Sequence, residues 1–231
     1  MTGVTVIKIN GALLEKPDTA VARILAMGTS RFAVVHGGGV QITRMLDKMN
    51  VKSEFIDGLR VTDSVALGAV AAALLGEVHT GLVVALQKVG VSAVGVFGAV
   101  RAEKKSGPWG LVGTNVRADS PTLNQLLENG HTPVIPTLAI GDSSLLNVNG
   151  DETAAAVALA LKAQRLIFLT DVEGVMDAER IVIERVPREV SLADAPFVSG
   201  GMKPKIRAVE AALAGGVASV TVGRTIFGDP Q

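Results

Sequence analysis

The chain has 231 residues, of which 48% are hydrophobic, and its 22 basic and 22 acidic side chains give a formal net charge of zero. This composition excludes a disordered chain, and the dispersed basic residues exclude a nucleic-acid footprint or a membrane-surface patch. Cysteine is absent, so disulfides and thiolate-bound metals are ruled out, as fits a cytoplasmic protein.

In chain order, the first apolar run, 4–9, reads as a strand with one charge, Lys8, near its carboxyl end. A buried ammonium is costly unless paired, and the carboxyl ends of such strands are where α/β proteins bind ligands. The alternative is an edge strand whose lysine snorkels to water. No basic segment followed by an apolar stretch precedes it, so no signal peptide is expected. A helix at 18–28 follows, then a strand at 32–36 that runs into Gly37, Gly38 and Gly39, and a helix at 40–49. A strand, a glycine turn and a helix start together offer free N–H groups and a positive dipole end to an anion. The stretch matches neither GxGxxG nor GxxxxGK[ST], and no GxSxG elbow completes a hydrolase. A plain tight turn is the other reading.

Segments 50–62 and 100–120 are polar and contain glycine, and read as hairpins or lids. Between them a helix is expected at 64–89. It is apolar on more than one face and rich in small residues ("VALGAVAAALLG"), which predicts a two-fold homodimer built on that helix. Glu77, His79 and Gly81 interrupt it, so no membrane span is expected. A strand at 92–97, a helix at 121–129 and a strand at 132–136 come next. "LNVNGDETAAAVALAL" then puts Asp151 at the mouth of a helix at 152–162, beside Asn147, Asn149 and Gly150. Helix capping and catalysis are both open for that aspartate. A strand at 165–170 runs into Asp171 and Gly174, as a nucleotide loop or an ordinary turn. The helix at 203–214 has Pro204 in its first turn and Gly215 and Gly216 beyond its end. Lys203 and Lys205 stand at its unfavourable end, either solvated or sharing an anion. A strand at 218–222 closes the series. Alternation of this kind predicts an α/β sandwich, with short apolar strands filling a parallel sheet covered on both faces. A division near 162 gives an N-terminal lobe, 1–162, and a C-terminal lobe, 163–231.

Taken in order, K-x-N-G at 8–11, "VVHGGG" at 34–39, "GLRVTD" at 58–63, "NVNGD" at 147–151, "LTDVEGV" at 169–175 and "SGGMKPK" at 199–205 resemble the amino acid kinase family. The resemblance runs from Val4 to about Val222. "GLRVTD" and "SGGMxxK" are its most specific pieces, and they point to the branch acting on N-acetyl-L-glutamate. It implies the fold of that family, an α/β three-layer αβα sandwich around an open, mainly parallel sheet, with acyl substrate and dimer contacts on the N-terminal lobe and ATP on the C-terminal one. It implies ATP-dependent phosphorylation of a γ-carboxylate, an arginine-pathway step. The alternatives are a kinase of carrier-linked aminoadipate or glutamate, and a non-catalytic nucleotide-binding regulator; a dinucleotide enzyme is disfavoured by the missing GxGxxG.

A carboxylate is already a nucleophile, so His36 need not act as a base; the need is to neutralise and align two anions. By resemblance, Lys8 and Lys205 hold the transferring phosphoryl group and the leaving diphosphate, and Asp151 between them orients both. Gly11, Gly37, Gly38 and Gly39 stabilise phosphoryl oxygens. Arg60 grips a substrate carboxylate, and Asn147 bonds the α-carboxylate or amide. Thr170, Asp171, Gly174 and Met202 border the nucleotide. Mg²⁺ rides on the ATP phosphates, with no protein ligand assigned.

Three departures stand out. Asn10 replaces the usual glycine and is expected to keep the loop by tolerating positive φ. His79 stands where the family has asparagine. The chain ends at Gln231, where the family continues through a helix and a closing Gly-Thr segment, so the C-terminal lobe reads as shortened. With its first strand expected by about Val4, the chain is also expected to lack the N-terminal helix of arginine-inhibited relatives. A dimer insensitive to L-arginine is expected.

Overall fold

A computed structural model describes residues 3–229. β1 (Thr5–Ile9) is followed by a 3₁₀ turn (Gly11–Glu15), α1 (Pro17–Leu25), β2 (Phe32–His36) and α2 (Gly39–Lys48). β3 (Phe55–Ile56) and β4 (Leu59–Arg60) form a short hairpin. A continuous helical rod follows: α3 (Ser64–Ala71), a π-helical stretch (Ala72–His79) and α4 (Thr80–Lys88). Then come β5 (Ala93–Gly95), the β6 (Val100–Lys104) and β7 (Gly113–Ala118) hairpin, α5 (Ser120–Glu128) and β8 (Thr132–Pro136). The chain continues through β9 (Leu138–Ile140), β10 (Leu145–Asn147), α6 (Gly150–Ala160), β11 (Arg165–Leu169) and β12 (Arg185–Val186). It ends with α7 (Met202–Ala214), β13 (Ser219–Val222) and β14 (Thr225–Gly228).

Eight strands make the main sheet in the order β12-β14-β13-β11-β1-β2-β8-β5. All neighbours are parallel except β13 and β14. The six strands expected from the sequence are the six consecutive strands from β13 to β5. Segments 50–62 and 100–120 contain the two hairpins, the second extended by β9 and β10 into a small sheet. Residues beyond 162 supply every strand on one side of β1.

β1 shows why the sheet is covered on both faces. Successive side chains alternate between faces. Val6 joins the cluster containing Ala154 and Val157 of α6 and Val209 of α7. Ile7 and Ile9 join Val21 and Ile24 of α1 and Leu82 and Leu86 of α4. Burying each such side chain contributes roughly 1.5–3 kcal/mol, which outweighs the helix propensity differences along these elements. The rod Ser64–Lys88 is long and apolar enough to span a membrane by length and composition alone. Half of its most apolar stretch is buried within the protein, with Leu74, Leu82 and Leu86 fully enclosed.

Candidate active site

The two-residue alternation of β1 puts Lys8 on the face of Val6, toward α6. There its Nζ lies 2.7 Å from Asp151 Oδ1. Lys205 Nζ, from the first turn of α7, donates to Asp151 Oδ1 at 3.0 Å and to Oδ2 at 2.9 Å. The Lys8, Asp151 and Lys205 side chains are only 11%, 10% and 12% exposed, so these pairs are shielded from water. β1 is central, which removes the edge-strand reading of Lys8. The capping reading of Asp151 also falls, because Asn149 caps α6 by accepting from the N–H groups of Asp151 and Glu152 at 2.8 and 3.0 Å. Asp151 is free to serve the lysines. Burial acts to raise its carboxyl pKa, but Lys8 and then Lys205 outweigh it and hold the group below the usual carboxylate range. Burial pushes the Lys205 ammonium down, and Asp151 opposes that. Two ammonium groups on one carboxylate leave a net positive charge, which suits an anion.

Lys8 opens on a cavity of about 190 Å³ lined also by Asn10, Gly11, Gly37, Gly38, Gly39, Arg60, Asn147 and Gly150. The N-termini of α2 and α6 both start on its wall, adding two positive dipole ends. The glycines divide by cause. A Cβ on Gly11 would stand 2.9 Å from the Gly39 nitrogen, so backbone packing requires that glycine, and one on Gly38 would press on the Leu74 side chain, 2.9 Å from its Cδ2. A Cβ on Gly37 or Gly39 would meet nothing within 4 Å. Packing leaves those two unexplained, and they face the open space of the cavity wall.

Arg60 is buried and donates to Thr43 Oγ1 at 2.8 Å, to Gly39 O at 3.3 Å and to Ser53 Oγ, with its guanidinium 4.7 Å from the Phe55 ring centre. Burial lowers its pKa, opposed by Asp47. Asn147 Nδ2 donates to Thr62 Oγ1 at 3.1 Å, which ties β10 to the second residue after β4.

Asn10 does not take the expected positive φ. Its φ is −71°, an ordinary extended conformation, so the loop needs no glycine there for backbone reasons. Its N–H donates to Leu169 O at 3.0 Å, and its Nδ2 to Asp171 Oδ1 at 3.0 Å. Asp171 also accepts from Thr170 Oγ1 at 3.2 Å. Its own backbone hydrogen bond and then Asn10 hold its carboxyl below the usual range.

Thr170, Asp171, Gly174 and Met202 do not line the small cavity. Gly174 is explained by packing, since a Cβ there would stand 2.7 Å from Thr225 Oγ1. A second cavity of about 860 Å³ lies between the β3–β4 turn and the start of α7. Lys203, Arg207, Lys105 and Glu152 line it, and it shares Gly58, Leu59 and Asn149 with the first. The sequence reading missed Arg207, Lys105 and Glu152. Arg207 stands two residues past Lys205, and only the orientation of α7 shows that it lines this opening. A further cavity of about 890 Å³, on the outer face of β6 and β7, contains none of the expected residues.

The sequence profile of the amino acid kinase family matches residues 3–224. A protein of Acidobacterium capsulatum named acetylglutamate kinase is 40% identical over 235 residues, covering 94% of this chain and 89% of its own. One of Brevibacillus brevis with the same name is 36% identical, covering 97% and 90%. Among solved structures, smu.665 from Streptococcus mutans superposes with a TM-score of 0.86 at 29% identity, covering 97% of this chain and 98% of its own. Carbamate kinase from Giardia lamblia bound to AMP-PNP has a TM-score of 0.69 at 15% identity, covers 99% of each chain, and shares the fold alone.

Proposed function

The chain belongs to the amino acid kinase family, and from that premise we propose that it is an acetylglutamate kinase. It transfers the γ-phosphoryl group of ATP to the γ-carboxylate of N-acetyl-L-glutamate, giving N-acetylglutamyl 5-phosphate and ADP, in the arginine branch of amino-acid biosynthesis. The observation that carries this reading is the shielded Lys8–Asp151–Lys205 array at the rim of a glycine-lined cavity.

The acceptor carboxylate is nucleophilic at neutral pH, so the chemistry needs no general base. His36 fits that: it is fully buried, and burial and then His79 push its pKa down to about 3. What the reaction demands is that two anions meet in line. Lys8 neutralises the transferring phosphoryl group, Lys205 the leaving diphosphate, and Asp151 holds both ammonium groups in place. The N–H groups of Gly11, Gly37, Gly38 and Gly39 receive phosphoryl oxygens; one such preorganised donor is worth roughly 10²–10³ in kcat. Arg60 holds a substrate carboxylate and Asn147 the α-carboxylate or amide.

Thr170, Asp171, Gly174 and Met202 border the nucleotide on the 163–231 lobe, and the 1–162 lobe carries the acyl substrate. Both Asp151 oxygens are occupied by lysines, so Mg²⁺ arrives on the ATP phosphates and offsets their charge there. The rod Ser64–Lys88, which leaves Val65 and Val84 half exposed, is the dimer contact of a cytoplasmic homodimer, and light scattering tests that assembly. A coupled ADP-release assay comparing N-acetyl-L-glutamate, glutamate, aspartate and aminoadipate tests the activity. The highest kcat/KM is expected for N-acetyl-L-glutamate, and a preference for any other acceptor overturns the assignment.

A further inference from the structure

Phosphoryl transfer as described leaves two imidazoles without a role, the buried His36 and the half-buried His79, and both bear on the glycine turn. His36 ends β2 immediately before Gly37 and is fully buried. Its Nδ1 lies 3.2 Å from the Gly37 carbonyl and its Nε2 lies 2.9 Å from His79 Nδ1. A carbonyl only accepts, so His36 Nδ1 carries the proton. The ring is neutral, so its Nε2 is an acceptor and His79 Nδ1 must be the donor. The proton order is therefore His79 Nδ1–H to His36 Nε2, and His36 Nδ1–H to Gly37 O. The Gly37 carbonyl and the Gly38 N–H belong to one rigid peptide plane. Fixing the carbonyl fixes the direction of that N–H.

His79 closes the π-helical stretch Ala72–His79, and wider turns of this kind are rare and concentrate at functional sites. The same stretch supports the glycine turn in two further ways. Leu74 and Val78 pack under Gly38, where a Cβ would meet them at 2.9 and 3.2 Å. Glu77 pairs with Arg44 of α2, the helix that the turn begins. Space for the His79 ring comes from β5, where a Cβ on Gly95 would collide with His79 Nε2.

We infer that the stretch Ala72–His79 is the platform of the phosphoryl-binding turn, and that His79 is a positioning residue acting through His36 to aim the Gly38 N–H. The inference rests on the proposed use of the glycine turn to hold phosphoryl oxygens. His79→Asn keeps an N–H donor within reach of His36 and should keep kcat within a few-fold of wild type. His79→Leu keeps the bulk but strands a buried acceptor. It should lower kcat by roughly 10²-fold, the scale of a misplaced reacting group, with both KM values within a few-fold. Wild-type kcat in His79→Leu, or equal losses in two folded variants, overturns the role. If His79→Leu does not fold, long-range ¹⁵N–¹H spectra of the wild type decide: Nδ1–H on both rings is expected, and Nε2–H on His36 overturns the chain of donors. The spectra need no substrate, whereas a wild type inactive on every acceptor would sink the kinase reading instead.

Discussion

Asp151→Asn separates the proposed chemistry from a structural role, because asparagine keeps the shape and removes only the charge. In the wild type one carboxylate lies 2.7 Å from Lys8 and 2.9 Å from Lys205, all three side chains shielded from water. Asparagine leaves two buried ammonium groups facing each other. Breaking a buried pair in this way costs about 3–5 kcal/mol, which for a domain of this size lowers Tm by roughly 6–20 °C. Phosphates supply the missing negative charge, so Mg·ADP should raise the Tm of the variant more than that of the wild type. Turnover should fall by roughly 10²-fold or more, since the lysines lose their common anchor, while KM for ATP does not rise. Burial already pushes Lys205 down, and Asp151 opposes that. Without it the ammonium is lost at lower pH, so the activity of the variant should fade earlier as pH rises. Calorimetry with and without nucleotide, beside ADP-release kinetics, reads all of these. Turnover near wild type would refute the reasoning, because Asn149 already caps α6 and capping cannot account for the aspartate.

Arg60→Ala should raise KM for the amino acid by an amount equivalent to roughly 2–5 kcal/mol while sparing KM for ATP; equal rises in steady-state kinetics would remove its assigned role. Gly37→Ala meets no protein atom within 4 Å, so its Tm should match wild type while kcat falls, and unchanged turnover would show that no phosphoryl oxygen approaches there. Gly11→Ala drives a methyl against the Gly39 nitrogen at 2.9 Å and should lose about 1–3 kcal/mol in a denaturant titration; wild-type stability would show that the two loops are free to separate. The folded-state pKa of His36, about 3, lies below its unfolded value near 6.5. Below about pH 6.5 the unfolded state binds the extra proton, so this stability is full above that pH and drains as pH falls toward 3, by about 1.4 kcal/mol per pH unit. Denaturation midpoints at about pH 7 and pH 5 should differ less in His36→Gln, and an unchanged difference would show that His36 is not the titrating group.

The parts of the fold legible in the sequence are those where burial leaves a long signature. FAVVH, TPVIP and RLIFL are covered on both faces and give short apolar runs between polar turns. β9, β10 and β12 have two or three residues each, too few for a period to register. β14 is marked in the sequence only by its turn: Gly223, at φ 57°, begins a two-residue connection into TIFG, which pairs with β13 as a hairpin. His79 was legible only as a departure from the family pattern, because a helical residue shows its partner only when the phase of its helix is known, and a π-helical stretch shifts that phase.

Lys8 exposes the deeper limit. A half-buried strand announces its inner face by alternation. In β1 every position but one is buried and apolar or hydroxyl-bearing, so the sequence holds no sign of which side any residue faces. Lys8 shares a face with Val6, but which helices cover that face is decided by topology, through the crossover that returns α6 over β1. The same placement changes what Asp151 is. Read along the chain it is one of several residues able to cap α6, and Asn149 takes that task two positions earlier. Only once α6 lies over Val6 and Lys8, with α7 alongside bringing Lys205, does the carboxylate gain partners that outweigh its burial. The ion-pair array is therefore a property of the packing of three elements, and each residue alone keeps its ordinary alternative.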